Sequence, residues 1–188
     1  MKRQLSQIIT QLDEAEKRVE KLGDVIPDAV WTQRNDPSRW SVAECIAHLN
    51  LTTDAYLPRV RKAIAEARQL PPAAGQYKRD TLGAMFSAMV GPLPSIGRFR
   101  FGRVKTAAAF VPTGDQPKNV SVAEFRRLQM LLSDLVRESD GLAIDRVMIT
   151  SPFGEKIRYS CYSAFVILAR HQMRHLDQAE LVWGDTDA

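Results

Sequence analysis

The segment ILARHQMRHLDQAE, residues 167–180, decides how the rest of the chain reads. It carries His171 and His175, two of only three histidines, spaced four residues apart. Residues i and i+4 of an α-helix stand one above the other on a single face, so a helix here aims both imidazoles the same way. That way is inward: Ala164, Leu168, His171, His175, Gln178 and Val182 form one stepping series with apolar residues at both ends. Ring nitrogens on a buried stripe need partners, because an unpaired polar group costs ~1–3 kcal/mol. The third histidine, His48, lies far upstream in SVAECIAHLN (41–50). There the series Cys45, His48, Thr52 and Ala55 runs beside an apolar one of Val42, Ile46, Leu49, Tyr56, Val60 and Ile64, which puts His48 at the edge of a buried face.

The same periodicity organises the other segments. Leu5, Ile8, Leu12, Ala15, Val19 and Leu22 make one stripe of a first helix, with Gly23 as its stop. A turn-rich linker carries Trp31 and Trp40, placed to seal the end of a core. SVAE at 41–44 has the capping-box form and opens a second helix running to about Gln69, which Pro58 should kink or split. The same four letters at 121–124 open a third, with Val122, Phe125, Leu128, Leu131, Leu132, Leu135 and Val136 facing inward. The last helix runs from about Tyr159 to Trp183, after a brief extended piece around a turn at Pro152–Gly154. Six of the ten prolines and six of the ten glycines fall at 71–117, around one short helical candidate, Asp80–Val90. The expected architecture is all-α: a four-helix bundle with a long irregular crossover between the second and third helices, as one domain over 1–188.

Composition bounds the function only loosely. A hydrophobic fraction of 45% and a charged fraction of 26% are those of an ordinary globular chain. No stretch reaches the roughly 18 apolar residues of a membrane span, and the charged N-terminus has no apolar signal core, so the expected location is the cytoplasm. A net charge of +4 against 26 cations and 22 anions argues little for nucleic acid. Cys45 and Cys161 form no pairing pattern. GxGxxG, Walker A and G-x-S-x-G elements are absent, which leaves nucleotide-dependent and serine-hydrolase chemistry without support.

Three histidines with an open position are what a catalytic metal site requires, whereas a structural site fills all four positions. The competing reading makes each a core-edge histidine satisfied by a neighbour. Glu44 either orients His48 or serves only the capping box, and the cap explains it. Cys45 is either a fourth ligand or a small core residue, with the core reading preferred. Gln178 suits a water at the metal or a core carbonyl equally, and Asp177 points away as a solvated charge. The stretch GRFRFGRVK (97–105) interleaves Arg98, Arg100, Arg103 and Lys105 with Phe99 and Phe101. It reads as a basic loop docked by its aromatics, as a strand-binding surface, or as an overhang in which Arg103 or Lys105 holds an acidic cosubstrate.

WSVAECIAHLNLTTDAYL (40–57) and ILARHQMRHLDQAE (167–180) resemble the DinB/YfiT-like superfamily of metal-binding four-helix bundles, and RFRFGRVKTAAAFVPTG (98–114) is similar to a VKT-x-x-x-F-x-P element in one of its branches. The resemblance implies that His48, His171 and His175 hold a divalent metal, zinc foremost, with nickel, iron or manganese as alternatives. It further implies a transferase that activates a low-molecular-weight thiol such as bacillithiol or mycothiol for attack on a small electrophile, in a chain that commonly homodimerises. Two alternatives remain. One is a hydrolase acting through a metal-activated water, which needs a general base that the sequence does not identify. The other is a non-enzymatic, metal-stabilised stress-response or nucleic-acid-binding module resting on the 97–105 loop.

Overall fold

The computed structural model describes residues 1–92, 106–112 and 116–184, with 95–96 and 99–100 through their backbone. The chain is predominantly helical, and the described residues form four long helices and two short ones: α1 (Arg3–Val25), α2 (Asp28–Trp31), α3 (Val42–Ala67), α4 (Thr81–Val90), α5 (Lys118–Glu138) and α6 (Cys161–Gly184). Two antiparallel pairs complete it, β1 (Ser95–Ile96) with β2 (Phe99–Arg100), and β3 (Met148–Thr150) with β4 (Arg158–Ser160). A 3₁₀ turn spans Ala108–Phe110. No helix among the described residues is long and apolar enough to cross a membrane.

The apolar stripes read from the sequence are the faces that meet. Helix α3 packs on α5 and α6, α1 packs on the same two, and α4 lies against α6. All six stripe residues of α1 and all six of α3 are buried. Phe125, Leu128, Leu132, Leu135 and Val136 of α5 join them, with Val122 and Leu131 at the margin. One polar element sits among these apolar side chains. Gln129 and Gln172, each 1% exposed, exchange amide hydrogen bonds of 2.9 and 2.8 Å, and Gln129 Nε2 also donates to Leu12 O. The pair thereby ties α5, α6 and α1 at one level.

Several boundaries differ from those expected. Gly23 does not stop α1, which continues to Val25 and ends where buried Ile26 precedes Pro27. A Cβ at Gly23 would stand 3.2 Å from Val122, so this glycine serves a close helix approach instead. Pro58 neither splits nor ends α3, because its ring lies on the exposed side. The second SVAE is not a cap: α5 begins a turn earlier at Lys118, anchored by Lys118 Nζ to Ile26 O and Asp28, and Glu124 pairs with Arg127. Tyr159 belongs to β4, and α6 starts at Cys161, where Ser160 Oγ accepts from Ser163 N.

The anticipated helix in the crossover is α4, capped by Asp80, whose Oδ1 accepts from Gly83 N. Asp80 Oδ2 reaches across to α6 and accepts from Ser160 N at 2.9 Å and Ser163 Oγ at 2.7 Å. At the other end, Arg170 Nε donates to Ser87 O and Arg174 Nη1 to Met89 O, two of the last carbonyls of α4. Cations belong there, at the negative end of the helix dipole. So α4 is clamped to α6 at both ends, and α6 carries two of the histidines.

Candidate metal centre

The site begins at the start of α3. Ser41 Oγ accepts from Glu44 N, Glu44 Oε2 accepts from Ser41 N, and Arg34 pairs with the Glu44 carboxylate. This closed capping box fixes where the helix begins, and His48 follows one turn after Glu44. From α6, His171 and His175 face it. His48 Nε2 lies 3.3 Å from His171 Nε2, and the three ring centroids are 4.6 to 5.1 Å apart. One nitrogen from each ring falls within 4.8 Å of the others, in a group that is buried throughout.

The crossover sets the tautomer of His48. Its Nδ1 lies 2.8 Å from Phe110 O, and a carbonyl only accepts, so Nδ1–H is the donor. In the neutral ring, Nε2 then carries a lone pair directed at the other imidazoles. At 3.3 Å, either His171 Nε2–H donates to it, or one ion takes a lone pair from each ring at the ~2.0–2.1 Å usual for Zn–N. His175 Nδ1 is buried without a geometric hydrogen-bond partner among the described residues, as are Trp31 Nε1 and Asn50 Oδ1, and the Gln178 side chain interacts with the ring. Three buried neutral rings, each with a nitrogen within 4.8 Å of the others, fit a divalent ion.

Burial keeps the rings neutral. It pushes His48 down to about 4 against a small opposing effect of the Phe110 hydrogen bond, and His171 and His175 well below the ordinary range, aided by repulsion from the neighbouring imidazoles and, after that, from Arg174. The unfolded chain, with histidines near 6.5, binds more protons between that value and about 4. These groups therefore stabilise the fold fully above pH 6.5 and lose that contribution as pH falls toward 4. Thermal unfolding of metal-stripped protein should accordingly show a midpoint that drops between pH 6.5 and 5. In a His48→Gln/His171→Gln/His175→Gln variant the drop should flatten, and an equal drop in both proteins would remove the histidines as its cause.

Around the imidazoles, Trp40 stacks on His175 with centroids 5.7 Å apart and leans on His48 at 4.9 Å. A cavity of about 260 Å³ opens beside the histidines. Its walls come from α4, from Thr106 and Ala107 of the crossover, and from the β3–β4 turn, which delivers Phe153 and Ile157. Phe153 contacts the rings of Phe110 at 4.6 Å and His171 at 6.2 Å. Arg174 is the one charged group among the described lining residues.

A DinB-superfamily profile matches residues 11–179, ending just beyond the second of the α6 histidines. The chain belongs to the DinB superfamily. No curated protein and no solved structure gives a match of comparable strength.

Among DinB-superfamily features read from the sequence, the histidine triad is the one brought together. Glu44 serves the cap and Arg34, not His48; burial tends to raise its pKa, but Arg34 and Ser41 hold it below the usual value. Cys45 is a core residue at 0% exposure, outside the cluster of ring nitrogens. Gln178 is half-buried against His175, and Asp177 bonds Arg18 on α1 at 2.9 Å. Arg98, Phe101, Arg103 and Lys105 lie outside the described residues, and Arg100 is described only through its backbone. Sequence reading missed Phe153 and Arg174, had Phe110 only as a member of the VKT-x-x-x-F-x-P element without a role at the histidines, and gave Trp40 only a sealing role. Arg174 had a signal as well, being next to His175 on a helix already assigned.

Burial also disposes of the chain's own thiols. It drives Cys45 far above its ordinary value and Cys161 up to about 12, and neither is solvent-exposed. A disulfide reagent such as Ellman's should label no cysteine in the native protein within minutes and both after denaturation. Rapid native labelling of Cys45 would refute its place in the core.

Proposed function

We propose that this chain, in a four-helix bundle of α1, α3, α5 and α6, is a metal-dependent transferase that joins a low-molecular-weight thiol to an electrophilic small molecule. The observation that carries the reading is the convergence of three buried, neutral imidazoles beside a cavity, with the lone pair of His48 aimed by the Phe110 carbonyl. Membership of the superfamily supports it. The chemistry a divalent ion supplies there is acidification of a bound thiol, giving a thiolate at neutral pH. His48, His171 and His175 would hold that ion, and burial keeps their lone pairs available at pH 7. Trp40 and Phe153 shield the rings from water, which strengthens charge interactions inside the site. With Cys45 and Cys161 sealed in the core, the nucleophile has to come from a separate molecule. The described cavity lining holds no carboxylate that could act as general base, which favours thiol transfer over hydrolysis.

The test is a panel of thiols (bacillithiol, mycothiol, glutathione, coenzyme A) against 1-chloro-2,4-dinitrobenzene. Zinc- or nickel-loaded protein should accelerate at least one thiol tenfold or more over both metal-stripped protein and a His171→Ala/His175→Ala variant. No acceleration with any thiol, despite full metal loading, would sink the proposal.

A further inference from the structure

Helix α4 carries no charged residue, alone among the described α-helices of a chain in which 26% of residues are charged. Its inner side, Gly83, Phe86, Ser87 and Val90, is buried against the bundle. On its outer side Leu82, Met85 and Met89 are 37%, 60% and 41% exposed. Steps of three and four residues put them in one stripe, with the small uncharged Thr81 and Ala88 also exposed beside it. Elsewhere among the described residues, exposed large apolar side chains lie singly, or far apart like Val120 and Met130 of α5. Such scatter is ordinary, whereas a contiguous stripe marks a contact surface.

Charge says what the stripe meets. Lys78 and Arg79 stand exposed just ahead of α4, and Arg98, Arg100, Arg103 and Lys105 follow it in the sequence. The one acid between 78 and 105, Asp80, turns its carboxylate to Gly83 N, Ser160 N and Ser163 Oγ. These six cations and one acid leave 20 cations against 21 acids in the rest of the chain, so the whole positive balance of +4 resides here. A second copy, positive at the same place, would be repelled, and a nucleic acid would use the cations but not the apolar stripe. An uncharged stripe flanked by cations is the pattern of a helix lying in the interface of an anionic bilayer.

We infer that the outer face of α4 docks this protein on an anionic phospholipid surface, with Leu82, Met85 and Met89 in the boundary between headgroups and acyl chains and Lys78 and Arg79 on the lipid phosphates. The contact is peripheral and does not depend on the metal-site reading above.

In vesicle sedimentation, the full chain should bind vesicles containing about 30% phosphatidylglycerol at least tenfold more tightly than vesicles of phosphatidylcholine alone. Salt at about 0.5 M should remove most of that difference. Leu82→Asp/Met85→Asp changes two exposed positions outside the described cavity lining, so the unfolding midpoint should hold while vesicle affinity falls at least tenfold. Since Cys45 and Cys161 are sealed in the core, Met85→Cys offers a single reactive thiol for an environment-sensitive fluorophore. That label should brighten and shift to the blue on anionic vesicles, and the same label at Met130→Cys, exposed on α5, should not. Equal binding to both vesicle types, full binding by the double variant, or equal shifts of the two labels would each overturn the inference. A wild type that ignores vesicles but binds a DNA oligonucleotide as well as the double variant does would assign the cations to nucleic acid instead. A wild type that ignores vesicles but forms concentration-dependent dimers, lost in the double variant, would give the stripe to a second copy.

Discussion

Protein purified without a histidine tag after expression with added zinc is expected to carry about one divalent ion per chain by plasma emission, and the His171→Ala/His175→Ala variant almost none. The size of the loss follows from ligand count. The variant keeps only His48, and one imidazole does not hold an ion that ordinarily takes three protein ligands. Because the three donors come from α3 and α6, which are distant in sequence, the unfolded chain has no such site. Binding to the folded state alone then adds stability: about 4 kcal/mol at a thousandfold excess of ion over its dissociation constant. The wild type should gain several degrees in unfolding midpoint on zinc addition while the double variant stays still. A wild type that remains metal-free after growth with zinc, nickel and manganese would return the three histidines to the core.

Among the described glycines, Gly83→Ala should be the most damaging change. A Cβ at Gly83 would run into Oγ and Cβ of Ser163 and stand 2.7 Å from Asp80 Oδ2. Ser163 Cβ is not a flexible tip, so α4 has to move away from α6. That movement breaks the bonds from Ser160 N and Ser163 Oγ to Asp80, and overpacking of this kind costs about 3 kcal/mol. Urea unfolding should show the loss as a lowered midpoint. A loss below about 0.5 kcal/mol, ordinary for a surface change, would mean that α4 is not held against α6 as described.

The features legible in the sequence were those set by period. The stripes of α1, α3 and α5 appeared because each helix buries one face, and the 3.6-residue repeat records which. His171 and His175 were legible for the same reason: i, i+4 spacing on an apolar stripe commits both rings to one direction. Boundaries were harder, since they depend on contacts as well as letters. SVAE at 41–44 is a cap because the chain turns there and Arg34 reaches Glu44, whereas at 121–124 Lys118 is anchored to Ile26 and Asp28 and the helix has already begun. The partners of the histidines were hardest of all. Phe110 contributes a backbone carbonyl, which no side-chain pattern announces, and it arrives 62 residues after His48. Phe153 reaches the site only because β3 and β4 pair and put the turn between them over the cavity.

The reciprocal amide pair of Gln129 and Gln172 bears on how this sequence can drift over generations. A lineage that exchanged Gln129 for leucine would leave the Gln172 amide with only the long 3.5 Å contact to Thr53 Oγ1, and each unmet polar group costs ~1–3 kcal/mol. Exchanging Gln172 first leaves Gln129 Nε2 its bond to Leu12 O but its Oε1 unmet, and the second replacement relieves that loss, as expected of residues that share a hydrogen-bonded pair. The two positions are therefore inherited as a unit, and an ancestor and a descendant that differ at both are separated by a valley that neither single step avoids.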